Sequence, residues 1–276
     1  MKKNDTLPAS LSALLQEHTL ADGLQMAEQQ VRINPAQVTC RHSLFQLLCI
    51  TGDWSRALKQ LQLCARMDAN YAQEAQLFGE LIRCEMFRQS CFQGEQRPGF
   101  ILPPPAWMED LLGALGCNAR GEINEADEHR SRALNAMTDV SGQWNGGEFD
   151  WISDSDSRTG PVAELVMGGV YIWLPISQIR SLDSSSPTRL TDLLWKPVNI
   201  TLVNGDSHGA WLFTRYSGSE HAPDALRLCR ETAWQDGPGE TVAQALGQKV
   251  WLTSHGDISL LDLTHCTFAI QKESAA

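Results

Sequence analysis

Apolar side chains recur at helical spacing over residues 10–137 and then change their period. In the stretch that opens at Asp53, positions Trp54, Ala57, Leu58, Leu61 and Ala65 fall at i, i+3, i+4, i+7 and i+11. On a 3.6-residue helix that makes one stripe for burial. The next stretch, from Tyr71, carries Ala75, Phe78, Leu81, Ile82 and Met86 on a similar stripe. Beyond Met137 the runs shorten and turn residues separate them. Residues 162–167 and 170–174 are apolar runs split by Gly168 and Gly169, the composition of a two-residue hairpin turn. Residues 198–203 and 210–214 repeat the signal around Asn204 and Gly205, and residues 250–253 and 258–263 repeat it around a turn at 254–257. Seven of the nine tryptophans (144, 151, 173, 195, 211, 234 and 251) lie in this half. The pattern predicts an α+β protein: a helical array over residues 1–140, then a Trp-rich, mainly antiparallel β domain over 141–276, a small barrel or twisted sheet.

The helical half has a longer period as well. Asn34, Pro35 and Ala36 close one helix, and Asp68, Ala69 and Asn70 close another 34 residues later. At that offset Leu20 meets Trp54, Leu24 meets Leu58 and Ala27 meets Leu61. A less regular third copy sets Gly121 opposite Gly52 and Ala126 opposite Ala57. A 34-residue helical pair resembles the tetratricopeptide repeat. Such hairpins stack because none buries its apolar face alone, and stacking leaves a concave surface suited to a peptide or helix. Residues 96–105 interrupt the array with Pro98, Pro103, Pro104 and Pro105, which remove donors and force extended backbone. They predict a loop along the helical face or towards the β domain, with a polyproline ligand as the alternative.

Charge narrows the partners. The net charge is −11, and both sides of residue 140 are acidic, whereas a phosphate-backbone partner calls for clustered Lys and Arg. The first ten residues have a positive start but no apolar core behind it, so they do not read as a signal peptide. No run approaches the roughly 18 apolar residues of a membrane span. Eight cysteines, none in a Cys-x-x-Cys pair and most among apolar neighbours, read as reduced, buried thiols of a cytoplasmic protein. Neither nucleic acid, membrane nor cofactor is expected.

Candidate chemistry is sparse. Ser207 and His208 are adjacent, yet they fall at an expected hairpin tip, not on the strand-to-helix turn that presents a nucleophile. Asp154, Asp156 and Arg158 open like a calcium loop, but a cation takes the third ligand position and Leu165 stands where a bidentate Glu belongs. Mutual capping and pairing is the simpler reading. No phosphate-binding glycine loop occurs. Arg215, Tyr216 and Glu220 follow an apolar strand and read either as an ion-paired turn that pins the sheet or as a recognition loop. An enzymatic alternative would need Asp154, Asp156, Ser219 and His221 to converge in a deep pocket.

Six segments share one resemblance. They are residues 149–161 (with Trp151, Asp154, Asp156 and Arg158), 169–175, 193–197, 214–220 (with Arg215, Tyr216 and Glu220), 230–234 and 247–248. In order and spacing they resemble the ImpE/TagJ (SciE-type) accessory proteins of bacterial type VI secretion systems. Thr191, Lys249 and Ser254 depart from a pattern in which Arg, Arg and Asp are usual, and Lys is no substitute for Arg at a bidentate contact. The resemblance implies a non-enzymatic cytoplasmic adaptor that binds the N-terminal helix of the small contractile-sheath subunit. Through it the adaptor would connect to the AAA+ ATPase that disassembles the sheath. Two contact surfaces are expected: a concave helical face bearing Arg41, Phe45, Tyr71, Phe78 and Arg83, or the β-domain loops around Trp151, Asp154, Asp156, Arg158, Arg215, Tyr216 and Glu220. A regulatory scaffold outside secretion is the remaining alternative.

Overall fold

Helix boundaries follow the repeat closely in the computed structural model, which describes residues 18–145 and 147–269. The helices are α1 (Leu20–Ile33), α2 (Val38–Thr51), α3 (Trp54–Met67), α4 (Ala72–Phe92), α5 (Trp107–Arg120) and α6 (Ile123–Ala136). Residues 10–17, read as helical from sequence, lie outside the described residues. α1 and α3 begin 34 positions apart, and so do α2 and α4. The third copy is offset by 69 positions, from α2 to α5 and from α3 to α6. Local chemistry fixes the ends. Thr19 and Asp22 form a reciprocal capping box on α1, and the Asp53 side chain accepts from Arg56 N on α3, satisfying amides that a helix start leaves orphaned. Gly52 and Gly121 end α2 and α5 in left-handed backbone, with φ of +77° and +78°.

The helix α4 departs from the expected stripe. Met86 is 50% exposed, while Glu85 and Arg88 turn inward with Phe78, Leu81 and Ile82. A carboxylate across the seam, described below, is what makes an inward arginine tolerable there.

The β half comprises β1 (Gly142–Trp144), β2 (Gly147–Phe149), β3 (Ile152–Asp154), β4 (Val162–Met167), β5 (Val170–Pro175), β6 (Ile179–Ser184), β7 (Trp195–Leu202), β8 (Ser207–Phe213), a short α7 (Asp224–Arg227), β9 (Thr232–Asp236), β10 (Ala243–Gly247), β11 (Val250–Thr253), β12 (Gly256–Ser259) and β13 (His265–Phe268). One eight-stranded sheet runs β2-β1-β13-β6-β7-β8-β4-β5; β12-β11-β3 make a second, and β10-β9 a hairpin. All strand pairs are antiparallel. The Gly168-Gly169 turn joins β4 to β5 as predicted. The last hairpin is tighter than its sequence suggested, because Gly256 (φ +130°) lets the chain reverse over Ser254 and His255.

The proline-rich loop heads for the β half. Gly99 N donates to Tyr171 O (2.9 Å) and Gly99 O accepts from Trp173 N (3.1 Å), so a parallel bridge covers the outer edge of β5 and blunts a template for unwanted pairing. One hydrophobic cluster passes from Phe45, Leu48, Trp54, Phe78 and Ile82 into Val162, Tyr171, Trp173, Trp195 and Phe213. Trp195 sits between Trp54 (5.9 Å between ring centroids) and Phe78 (6.0 Å). The inner side of the array is therefore lined with the β half's own side chains. All eight cysteines are buried and free. No helix among the described residues is long and apolar enough to cross a membrane.

Candidate functional site at the seam of the two halves

Glu164 lies in the middle of β4, an otherwise apolar strand, and meets α4. Arg88 grips it as a fork, Nε to Oε1 at 2.7 Å and Nη2 to Oε2 at 2.9 Å, the strong bidentate geometry of a guanidinium on a carboxylate. The Tyr171 hydroxyl donates to Oε1 (2.5 Å), and Lys249 Nζ lies 2.9 Å from Oε2. Arg88 Nη1 continues to Glu85 Oε1 (3.2 Å) and Arg215 O (3.1 Å), and its guanidinium stacks 4.4 Å over the Phe213 ring. Trp195 Nε1 donates to Glu85 Oε2 at 3.3 Å. Burial alone would push the Glu164 carboxyl up, but Arg88 and Lys249 hold it far below the usual carboxylate range. Glu85 keeps the upward push, since burial outweighs Arg88.

The 154–160 loop closes the other side. Lys249 ion-pairs with Asp154, whose Oδ1 accepts from the Tyr216 hydroxyl (2.8 Å). Burial raises the Asp154 pKa despite Lys249, while for Lys249 burial is outweighed by Asp154 and Glu164 and the ammonium is held more firmly. Asp156 N donates to Asp154 Oδ1 (2.9 Å), and Arg158 folds back on Asp156 with Nε 2.9 Å from Oδ1. Ala245 N donates to Asp156 Oδ2 at 3.1 Å. Arg158 also stacks over Phe92 of α4 at 4.8 Å. The calcium-like segment is thus held by internal capping and pairing.

Arg215 caps α2 from across the seam, Nη1 donating to Ile50 O at 2.7 Å. Glu220 accepts from Gln89 Nε2 (2.8 Å) and from Gly218 N (3.2 Å). A Cβ on Gly52 would stand 2.7 Å from the Glu220 Cβ, so Gly52 serves both the left-handed turn and this close approach. Ser219 Oγ donates to Tyr216 O (2.6 Å) and accepts from Gly247 N (2.8 Å), whereas His221 leaves its side chain in solvent. Ser207 is exposed and bonds Thr201 Oγ1 at 3.0 Å.

The seam thus brings together Asp154, Asp156, Arg158, Arg215, Tyr216 and Glu220 from the predicted β-loop set, but as buried or half-buried side chains rather than an exposed loop. Phe45 and Phe78 of the predicted concave face are fully buried and touch each other edge-on at 5.4 Å. Arg41, Tyr71 and Arg83 keep partial or full exposure, as does Trp151. Sequence reading passed over Glu85, Arg88, Glu164 and Trp195. The signal was present: Glu85 and Arg88 continue the Phe78–Leu81–Ile82 stripe, and Glu164 interrupts an apolar run.

A helical-repeat array with an antiparallel sheet seated on its inner side through an ion-paired seam defines the architectural class. A family model described as ImpE protein matches residues 146–267. The type VI secretion system accessory component TagJ of Pseudomonas aeruginosa strain PAO1 is 38% identical over 256 residues, 92% of this chain and 89% of that protein. The crystal structure of protein VPA1032 from Vibrio parahaemolyticus matches with a TM-score of 0.86 at 25% identity, over 96% of this chain and 98% of that one. The chain belongs to the ImpE/TagJ family of type VI secretion accessory proteins.

Proposed function

We propose that this protein is a non-enzymatic cytoplasmic adaptor of a type VI secretion system. It holds the N-terminal helix of the small contractile-sheath subunit and links it to the AAA+ ATPase that disassembles the sheath. Similarity to TagJ along almost the whole chain carries this reading. The side chains nominated for catalysis support it too. Asp154 is engaged by Lys249 and Tyr216, Asp156 by Arg158, and Ser219 by two backbone groups. A general acid or base must instead reach a substrate proton.

Because its inner side is lined by the β half, the array offers the partner helix its outer surface. Arg83 and Met86 are exposed on one stretch of α4 at helix-docking spacing, beside Phe87, whose ring leans edge-on against Tyr171 (6.4 Å between centroids), and Arg41 and Tyr71 are part-exposed earlier in the array. Trp151 contributes from the β half. Phe45, Phe78, Asp154, Asp156, Arg158, Arg215, Tyr216 and Glu220 act from beneath, by holding that surface in place. The test is fluorescence anisotropy of a labelled synthetic N-terminal helix of the cognate small sheath subunit against the full chain. Saturable binding that a Met86→Ser change weakens about tenfold is expected. No saturable binding to the folded chain would sink the reading.

A further inference from the structure

The β9–β10 hairpin has one edge spoken for and one edge open. β10 lies against the 155–158 loop, where Ser157 N donates to Ala243 O (3.0 Å) and Ser157 Oγ accepts from Ala243 N (2.9 Å). β9 pairs with β10 alone. The bonds Gly237 N to Val242 O and Gln248 N to Glu231 O bracket their ladder. Antiparallel pairing alternates, so Ala233 and Gln235 point their backbone groups at β10, and Thr232, Trp234 and Asp236 point theirs outward. Among the described residues no backbone group pairs with those outward-facing amides and carbonyls.

The hairpin is firmly mounted. Asp127 of α6 accepts from Glu240 N (2.7 Å) and Thr241 N (3.2 Å) at its tip, and Arg130 Nη1 donates to Thr241 Oγ1 at 2.7 Å. Trp234 is 52% exposed, yet its ring is pinned: Nε1 donates to Ser155 Oγ (3.0 Å), which bonds the buried Tyr216 hydroxyl (2.8 Å). Ala245, directly opposite, is fully buried. A large aromatic already immobilised by its N–H loses little entropy when covered, which is what an interface anchor requires. Charge says what kind of segment fits. Glu231, Asp236 and Glu240 are exposed, while Arg230 is the one cation between residues 230 and 247.

We propose that the outer edge of β9 takes up an extended segment of a partner protein as an added strand. That segment carries an apolar side chain to lie on Trp234 and a lysine or arginine two residues away to meet Asp236, since residues two apart share a face of a strand. This surface is separate from the outer face of α4, so either proposal can fail alone. The probe is a capped peptide, Thr-Lys-Thr-Val-Thr-Lys-Thr, added to the full chain while exchange of the Trp234 and Asp236 amides is followed by NMR. Saturable slowing of both is expected. Alternate N-methylation of the peptide, which leaves its charge intact, abolishes it, and Asp236→Lys weakens it about tenfold while favouring a Glu-for-Lys peptide. Unchanged exchange, equal binding of the N-methylated peptide, or protection that appears without peptide as protein concentration rises (a second copy on the edge) would each overturn the proposal.

Discussion

Replacing Arg88 by methionine tests the seam directly. The side chain is 1% exposed and makes four hydrogen bonds, two to Glu164, one to Glu85 and one to Arg215 O. Methionine keeps much of the aliphatic stem while removing the charge and the guanidinium that stacks over Phe213. Glu164 then retains Lys249 and Tyr171, while Glu85 is left with Trp195. Breaking a buried pair from one side costs about 3–5 kcal/mol, a large share of the roughly 5–15 kcal/mol that holds a protein folded. The assay is guanidinium unfolding read two ways, by far-UV circular dichroism for the helices and by fluorescence for the tryptophans, seven of nine of which lie in the β half. A shared core predicts coincident transitions before and after the change. Replacing Glu164 by methionine as well should recover about 2 kcal/mol, since an apolar pair leaves no lone charge. A loss under about 1 kcal/mol, or a variant in which only one signal moves, would refute the reasoning.

Three further outcomes follow from the geometry. Gly121→Ala should cost about 1–2 kcal/mol for its left-handed backbone alone, with nothing within 4 Å of the new methyl; Gly52→Ala adds a collision with Glu220 and should cost at least twice as much by the same melts. Lys196 is fully buried, donating to Leu260, Leu261 and Leu263 carbonyls, and burial lowers its pKa to about 8. Between that value and the unfolded 10.5 the unfolded chain binds more protons, so the stability of the wild type relative to Lys196→Met should rise with pH by about 3 kcal/mol; a flat difference would count against it. Glu164 titrates well below its unfolded value of about 4.3, so its contribution is complete above that pH and is lost on acidification. The stability gap between wild type and Glu164→Gln should accordingly stay constant above about pH 5, begin to narrow as pH falls through about 4.3, and still be only partly closed at about pH 3.

Period and turn chemistry were legible in the chain. The 34-residue offset set α1 in register with α3, and the Gly168-Gly169 and Asn204-Gly205 turns placed the β4–β5 and β7–β8 hairpins, because both signals are local. What the sequence hid was the contact between the halves. Phe45 and Phe78 sit where a binding groove would be lined, and only the seating of Trp195 against Phe78 makes them interior. Met86 fits the apolar stripe better than Arg88 does; a carboxylate 76 residues away in sequence reverses that preference. The 154–160 and 215–220 segments were visible as unusual, yet unusual composition alone cannot separate a recognition loop from a buried polar knot.

Repeat arrays ordinarily change length by duplicating a hairpin, since each unit touches its neighbours alone. The indole of Trp195 forbids that here, because it rests at once on Trp54 of α3 and Phe78 of α4. An extra hairpin inserted between those helices would pull its seat apart. The sheet acts as a gauge on the stack, and lineages of this fold should tolerate drifting residues far more readily than an added repeat.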